Sequence, residues 1–270
     1  MKNKDKQYIS ILGCGWLGMP LTQDLIKQGY QIKASTTSES KLQKMEAAGI
    51  TPFLINIDTI SEEIQEFLSS EILIIAITSK NIEGFKNLIH QIEKSNVKKL
   101  IFISSTSVYD NAKEMITEVS AVNASVLSEI EKLFLSNSHF LTTIVRFGGL
   151  FGYNRKPALF FSKGKKIGNP DANVNMIHRD DSIRIIKEII NKNIWNETLN
   201  ACTDSHPTRR EFYSKAALDI GLDIPSFEEA AAVEYKVISN QKLKSLLTFE
   251  FKYPDLLNIK EEVSDAGFRK

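Results

Sequence analysis

Apolar residues along this chain fall into short runs separated by polar turns, and the runs alternate between strand and helix spacing. Tyr8-Ile-Ser-Ile-Leu12 predicts a short buried strand, after which Leu17, Leu21 and Leu25 recur at intervals of four, the stripe of a helix lying on a sheet. Gly29 predicts the stop of that helix and Tyr30-Gln-Ile-Lys-Ala34 a second strand. A polar helix over Ser38 to Ala48 follows, capped by Ser38 and ended by Gly49. Phe53-Leu-Ile-Asn-Ile57 and Ile72-Leu-Ile-Ile-Ala-Ile77 are continuous apolar runs, the pattern of parallel strands covered on both faces. Ile82, Phe85, Leu88, Ile89 and Ile92 predict an amphipathic helix leading to a strand at Leu100-Ile-Phe-Ile103. A helix from Leu127 to Leu135 and a strand from Leu141 to Val145 continue the series. Serial βα units of this kind predict an α/β fold, a doubly wound parallel sheet of Rossmann type.

The regularity fails after Gly152. Tyr153 to Asn175 carries Lys156-Pro157, Gly164-Lys-Lys166, Gly168 and Asn169-Pro170 and reads as a long loop, and such loops in compact domains commonly bind or cover ligands. Asp180 is the expected N-cap of a helix carrying Ile183, Ile186 and Ile190, and the remainder predicts a small C-terminal α+β substrate cap. The expected division is a dinucleotide-binding portion over 1–152 and a substrate-binding portion over 153–270, with 176–204 returning to the sheet. Composition narrows the function classes. Among 270 residues, 42% are apolar and 25% charged, and a net charge of +1 gives no field for gathering nucleic acid or anionic membrane. No stretch approaches the ~20 apolar residues that span a bilayer, the start of the chain lacks a signal-peptide core, and Cys14 and Cys202 form no metal or redox motif. The expected setting is cytoplasmic, with a small-molecule substrate as partner and a homodimer admitted.

Candidate chemistry begins at Gly13-x-Gly15-x-x-Gly18, between a predicted strand and a predicted helix. There each glycine has a task in binding a dinucleotide: a tight turn, close backbone approach to the pyrophosphate, and close packing of helix on strand. Trp16 and Leu17 lie in the same turn, whose helix offers N–H groups and a positive dipole end to the phosphates. NAD-specific sites usually carry Asp or Glu at the end of the second strand. This chain has Ala34-Ser35-Thr36-Thr37-Ser38 there, with Lys33 and Lys41 nearby and Glu39 opposing them, which predicts NADP in preference to NAD. The competing reading of the same residues is an ordinary Ser/Thr-rich helix start.

Four blocks together, Gly13-Cys-Gly-Trp-Leu-Gly-Met-Pro20, Ser104-Ser-Thr-Ser-Val-Tyr109, Arg146-Phe-Gly-Gly-Leu-Phe-Gly152 and Asn175-Met-Ile-His-Arg-Asp-Asp181, carry a resemblance. The chain resembles the extended, epimerase/dehydratase-like branch of the short-chain dehydrogenases/reductases, and within it an atypical YeeZ-like group. The resemblance implies that Ser105 stands where the family's catalytic hydroxyl sits, at the carboxyl end of the fifth strand, with Ser104, Ile77 and Thr78 among the cofactor contacts. It also implies a Tyr-x-x-x-Lys pair, whose two places fall at about Asn123 and Leu127, and neither residue performs that chemistry; Asn123 remains a position of the implied catalytic site. Tyr109 could supply a phenol in its stead or belong to a structural turn. His178 could contact a ligand, or the His-Arg-Asp-Asp stretch could serve to start a helix. Arg146 and Arg179 are expected as anion contacts for substrate. The expected function is an NAD(P)-dependent oxidoreductase or epimerase/dehydratase-like enzyme with an altered site, acting on a small molecule such as a nucleotide sugar. The alternative is a non-catalytic NADP(H)-binding sensor.

Overall fold

The computed structural model describes residues 7–161 and 166–260. The charged residues 1–6, and Gly164 and Lys165 of the predicted loop, lie outside the described residues. The chain divides into two compact units, one of Met1–Val108, Ala121–Arg146 and Ile183–Leu199, the other of Tyr109–Ser120, Phe147–Ser182 and Asn200–Lys270. In chain order the first half holds β1 (Tyr8–Leu12), α1 (Gly18–Lys27), β2 (Gln31–Thr36), α2 (Leu42–Ala47), β3 (Thr51–Leu54), α3 (Ile64–Phe67), β4 (Ile72–Ile75), α4 (Ile82–Glu93), β5 (Lys99–Ser105), β6 (Met115–Ile116) and α5 (Val126–Leu135). There follow β7 (Leu141–Phe147), β8 (Gly149–Phe151), β9 (Ile167–Gly168), β10 (Met176–His178), α6 (Arg179–Asn191), β11 (Thr198–Ala201), α7 (Arg209–Leu218), β12 (Phe227–Glu228), β13 (Val237–Ile238) and α8 (Gln241–Leu247).

A seven-stranded, mostly parallel sheet in the order β11-β7-β5-β4-β1-β2-β3 organises the first unit. β1 pairs in parallel with β2 on one side and β4 on the other, so the strand order reverses about β1, the place where open α/β sheets bind ligands. The apolar stripes do what their spacing predicts. Leu21 and Leu25 of α1 and Phe85, Leu88 and Ile92 of α4 are almost wholly buried. Phe85, Phe102 and Phe134 meet at ring-centroid distances of 5.0 to 6.0 Å, joining α4, β5 and α5. Helix ends follow local chemistry: Asn81 accepts the Gly84 N–H at the start of α4, while Gly29 and Gly49 take φ of +91° and +78° just past α1 and α2.

Two elements and one side chain depart from the pattern. The predicted polar helix splits into a 3-10 turn over Glu39–Lys41 and α2, and Ser38 makes no side-chain cap. The third strand is Thr51–Leu54 rather than Phe53–Ile57; Ile55 donates to Thr36 O, the last residue of β2, and beyond it there is no strand to pair with. Lys33, counted above among the charges near a 2′-phosphate, is buried instead; its Nζ reaches Glu66 O and Ser69 Oγ, both at 2.5 Å, on the α3 side of the sheet, and burial lowers its pKa.

In the second unit, β8 pairs in parallel with β10, β12 with β9, and β13 with β6. Phe151, Ile167, Val174, Met176, Phe212, Tyr213 and Leu256 form its core. A reciprocal capping box starts α7: Thr208 Oγ1 accepts the Glu211 N–H and the Glu211 carboxylate accepts the Thr208 N–H. Helix α6 begins at Arg179, so Asp180 lies within its first turn and not at the cap. No helix among the described residues is long and apolar enough to cross a membrane, and no group of three or more His, Cys, Asp or Glu among them could hold a metal.

Candidate functional site

The glycine turn after β1 assigns a distinct constraint to each of its three glycines. Gly13 takes φ of +104°, and a Cβ there would stand 2.7 Å from Ala76 O and 2.8 Å from Ile77 Cγ2, at the end of β4. A Cβ on Gly18 would lie 2.2 Å from Gly13 O, so the helix can approach the turn only without a side chain. Gly15 differs from both, because a Cβ there meets nothing within 4 Å. The protein's own packing leaves this position free of any side-chain requirement, and what a side chain would fill is the space over the start of α1. That cradle fits a pyrophosphate: the first N–H groups of a helix have no intrahelical acceptors, and its positive end lies there.

Ser35 builds the turn from the neighbouring strand. Its buried hydroxyl accepts the Gly13 N–H at 3.0 Å and its carbonyl accepts the Cys14 N–H at 2.8 Å. Thr36 Oγ1 accepts the Ser38 N–H at 3.2 Å, and Thr37 is exposed. Burial pushes the Cys14 thiol up to about 11, while its contact with Thr22 and the positive charge of Lys41 pull it the other way. Trp16 is half-buried and Leu17 buried beside the turn. Ile77 and Thr78 follow β4 and are half-buried and exposed.

Two strands from β1, the carboxyl end of β5 carries Ser104 and Ser105. Ser105 is half-buried and its Oγ accepts the Ser107 N–H at 3.1 Å, leaving its own proton to be donated elsewhere. Ser104 is buried and donates to Glu131 Oε1 at 2.5 Å. Glu131, 1% exposed on α5, also receives Arg146 of β7, with Nε at 3.0 Å from Oε1 and Nη2 at 2.6 Å from Oε2. The Arg146 side chain, expected as a substrate contact, is thus committed on two of its nitrogens to a buried carboxylate. Sequence reading passed over Glu131, although Leu127, Glu131 and Phe134 share one face of α5, and a carboxylate on a buried stripe is itself a signal. Asn123 precedes the Ser125 N-cap of α5; its Nδ2 donates to Ser107 O and its N–H to Val108 O. Residues 119–127, Val-Ser-Ala-Val-Asn-Ala-Ser-Val-Leu, contain no ionisable side chain.

The remaining candidates lie in the second unit. Tyr109 is buried and donates from its hydroxyl to Asn200 Oδ1 at 2.9 Å, and its carbonyl accepts Lys236 Nζ. His178 is buried among Phe151, Tyr153 and Tyr253, with ring centroids at 5.3, 5.5 and 4.0 Å, and its Nδ1 accepts the Asp180 N–H at 3.2 Å. Gly152 is required beside it, since a Cβ would stand 2.5 Å from His178 Nε2. Arg179 stacks on the Tyr153 ring at 4.0 Å, and the Tyr153 hydroxyl donates to Asp180 at 2.9 Å. Asp181 accepts the backbone N–H groups of Lys252 and Tyr253, fastening that segment to the start of α6.

Comparison with known proteins follows the same outline. Residues 13–192 match the model of a family described as NAD(P)H-binding. Protein YeeZ of Escherichia coli K12 is 28% identical over 267 residues, covering 92% of this chain and 97% of that protein. A functionally unknown conserved protein from Silicibacter pomeroyi superposes with a TM-score of 0.78 at 19% identity, covering 93% of this chain and 96% of the other. MoeE5 in complex with UDP-glucose and NAD gives 0.74 at 15% identity, over 91% and 93%. UDP-glucose 4-epimerase from Thermotoga maritima, with UDP-glucose, gives 0.73 at 18%, over 91% and 94%. At these identities the structural likenesses show the fold, a Rossmann-like sheet shared with epimerases.

Proposed function

We propose, from the premise that this chain belongs to the NAD(P)H-binding family, that it is an NADP(H)-dependent oxidoreductase or epimerase-like enzyme acting on a small molecule. The carrying observation is the open position at Gly15, inside a turn whose other two glycines are fixed by packing. Nucleotide sugars, present in complexes of similar folds, are the substrate class to try first. When bound, the cofactor supplies or accepts the hydride. The chain's own residues hold and orient: the start of α1 receives the pyrophosphate, and Ser105 offers its hydroxyl proton to polarise a substrate oxygen.

Preference for NADP over NAD rests on the end of β2. Between Gln31 and Ser38 no carboxylate stands to bind free ribose hydroxyls or repel a phosphate. Thr36 and Thr37 can donate, and Lys41, in the 3-10 turn that follows β2, is the cation to test there, since Lys33 is buried on the α3 side. One charge-assisted hydrogen bond contributes about 1.5–3 kcal/mol, so NADP is expected to bind roughly ten- to a hundredfold tighter than NAD. Lys41→Ala should narrow that gap without weakening NAD. Calorimetric titration of both oxidised cofactors at matched ionic strength checks this, and tighter binding of NAD refutes the assignment.

The second reading, a protein that binds NADP(H) and turns nothing over, is favoured by the absence of ionisable residues over 119–127. Screening of nucleotide sugars for NADPH oxidation or epimerisation separates the two. For an enzyme, Ser105→Ala should lower turnover about 10²-fold, the scale of one polarising or proton-transferring group. Unchanged turnover removes Ser105 from the site.

A further inference from the structure

We propose that the second unit binds a small oxyanion, a phosphate or a carboxylate group, through Lys236 and Arg209. The inference goes beyond the function proposed above: it names the charge of a ligand of the second unit, and it holds whether or not the chain turns over a nucleotide sugar.

Lys236 directly precedes β13 and is fixed in place from two other stretches of chain. Asn175 donates from Nδ2 to Lys236 O and accepts the Ile238 N–H on Oδ1, both at 2.9 Å, so its amide pairs with this segment as a neighbouring strand would. On either side, Lys113 N–H donates to Tyr235 O at 2.9 Å and Asn169 Nδ2 to Glu234 O at 2.6 Å. Lys113 and Asn169 take φ of +55° and +52°, a conformation that costs a lysine free energy and persists only where surrounding bonds impose it. The side chain of Lys236 is held as firmly as its backbone. It is half-buried, Nζ donates to Tyr109 O, and burial lowers its pKa against the charge of Asp110. Among the described residues that carbonyl is its one hydrogen-bond acceptor, whereas an ammonium has three N–H groups to donate.

Arg209 repeats the arrangement on the same frame. It is half-buried, and Nη1 donates to Gly168 O at 2.8 Å, one residue before the Asn169 that holds Glu234. Arg209 is the first residue of α7, where a cation opposes the positive end of the helix, so helix formation does not call for it. Its neighbour Arg210 is answered by Asp171 and Glu229, while Arg209 forms no ion pair among the described residues. Desolvating a charge without an opposite one is costly, and an apolar side chain would fill either place more cheaply. Carboxylate partners would have neutralised both cations; carbonyl partners fix their positions and leave their charge to act outwards. An oxyanion brings the negative charge and the several lone pairs that such donors bind best.

Calorimetric titration of the full-length chain with inorganic pyrophosphate, UDP-glucose and glucuronate tests this, the three carrying the anion as phosphate alone, as phosphate beside a sugar, and as carboxylate on a sugar. At least one should bind, and Lys236→Met and Arg209→Met, which retain an unbranched stem, should each weaken it about tenfold or more, the scale of one charge-assisted hydrogen bond. Lys236→Arg, which keeps the charge, should recover most of the loss. Affinities unchanged in either methionine variant overturn the inference, and a lowered melting temperature with unchanged affinity marks a side chain that only fastens the loops. A chain that binds none of the three overturns it as well. Binding of pyrophosphate or glucuronate that depends on Lys236 and Arg209, in a chain that turns over no nucleotide sugar with NADPH, supports the oxyanion site and removes the nucleotide-sugar reading alone.

Discussion

Single residues of the glycine turn make opposite demands that mutation can separate. Gly15→Val places its side chain in open space, so the melting temperature without ligand should stay within a degree or two of the parent. The stabilisation by NADP, about 2.7 kcal/mol at a hundredfold excess over Kd, should vanish. Gly18→Ala forces a methyl against Gly13 O and should cost about 1–3 kcal/mol with no ligand present. Thermal melts with and without NADP read both, and NADP stabilisation that survives Gly15→Val sinks the cradle assignment. The spacing of the three glycines was legible in the sequence; what constrains Gly13 was not, because Ala76 and Ile77 reach it from the end of β4, and within the protein nothing constrains Gly15. The hydrogen-bond partners of Ser35, Ser104 and Arg146 were not legible either, because they are Gly13 and Glu131, on elements brought alongside only by the finished sheet.

Elements were legible where burial and periodicity coincide and shifted where they separate. Helices α1 and α4 have one apolar face each, and their stripes gave both extent and orientation. The run Phe53 to Ile57 is buried at Phe53, Ile55 and Ile57, yet only residues up to Leu54 form a strand. Apolar alternation reports contact with the core, whereas strand length reports whether a neighbour is there to pair, and β2 ends at Thr36. Pro52 is tolerated because β3 is the edge of the sheet. At α6 the sequence offered Asp180 as the N-cap, but the helix begins at Arg179, and both aspartates are engaged elsewhere, Asp180 by the Tyr153 hydroxyl and Asp181 by the amides of residues 252 and 253.

On the scale of the whole molecule, stability should depend on pH through His206. Burial lowers its pKa from the ordinary value of about 6.5, against a hydrogen bond to Val174 O and the charge of Asp204. The unfolded chain therefore takes up this proton first, so the contribution is present above about pH 6.5 and is lost as pH falls below it towards the folded value. Glu211 and Asp255, held below their ordinary values by N–H donors, lose their contributions only in the more acidic range. Denaturant midpoints between pH 7.5 and 5.5 should fall for the parent and fall less for His206→Asn; parallel slopes would exclude the histidine. The sheet order has a consequence for synthesis as well. β7 is flanked by β5 and β11, and β11 is the last strand of the sheet to be made. At about 5–20 residues per second, the stretch from Phe147 to Ala201 takes the ribosome roughly 3–10 s. Throughout that interval Leu141-Thr-Thr-Ile-Val-Arg-Phe147 presents a bare β-rich edge on the nascent chain. A message truncated before codon 198 would leave that edge permanently unpaired, an adhesive end that chaperones would have to hold.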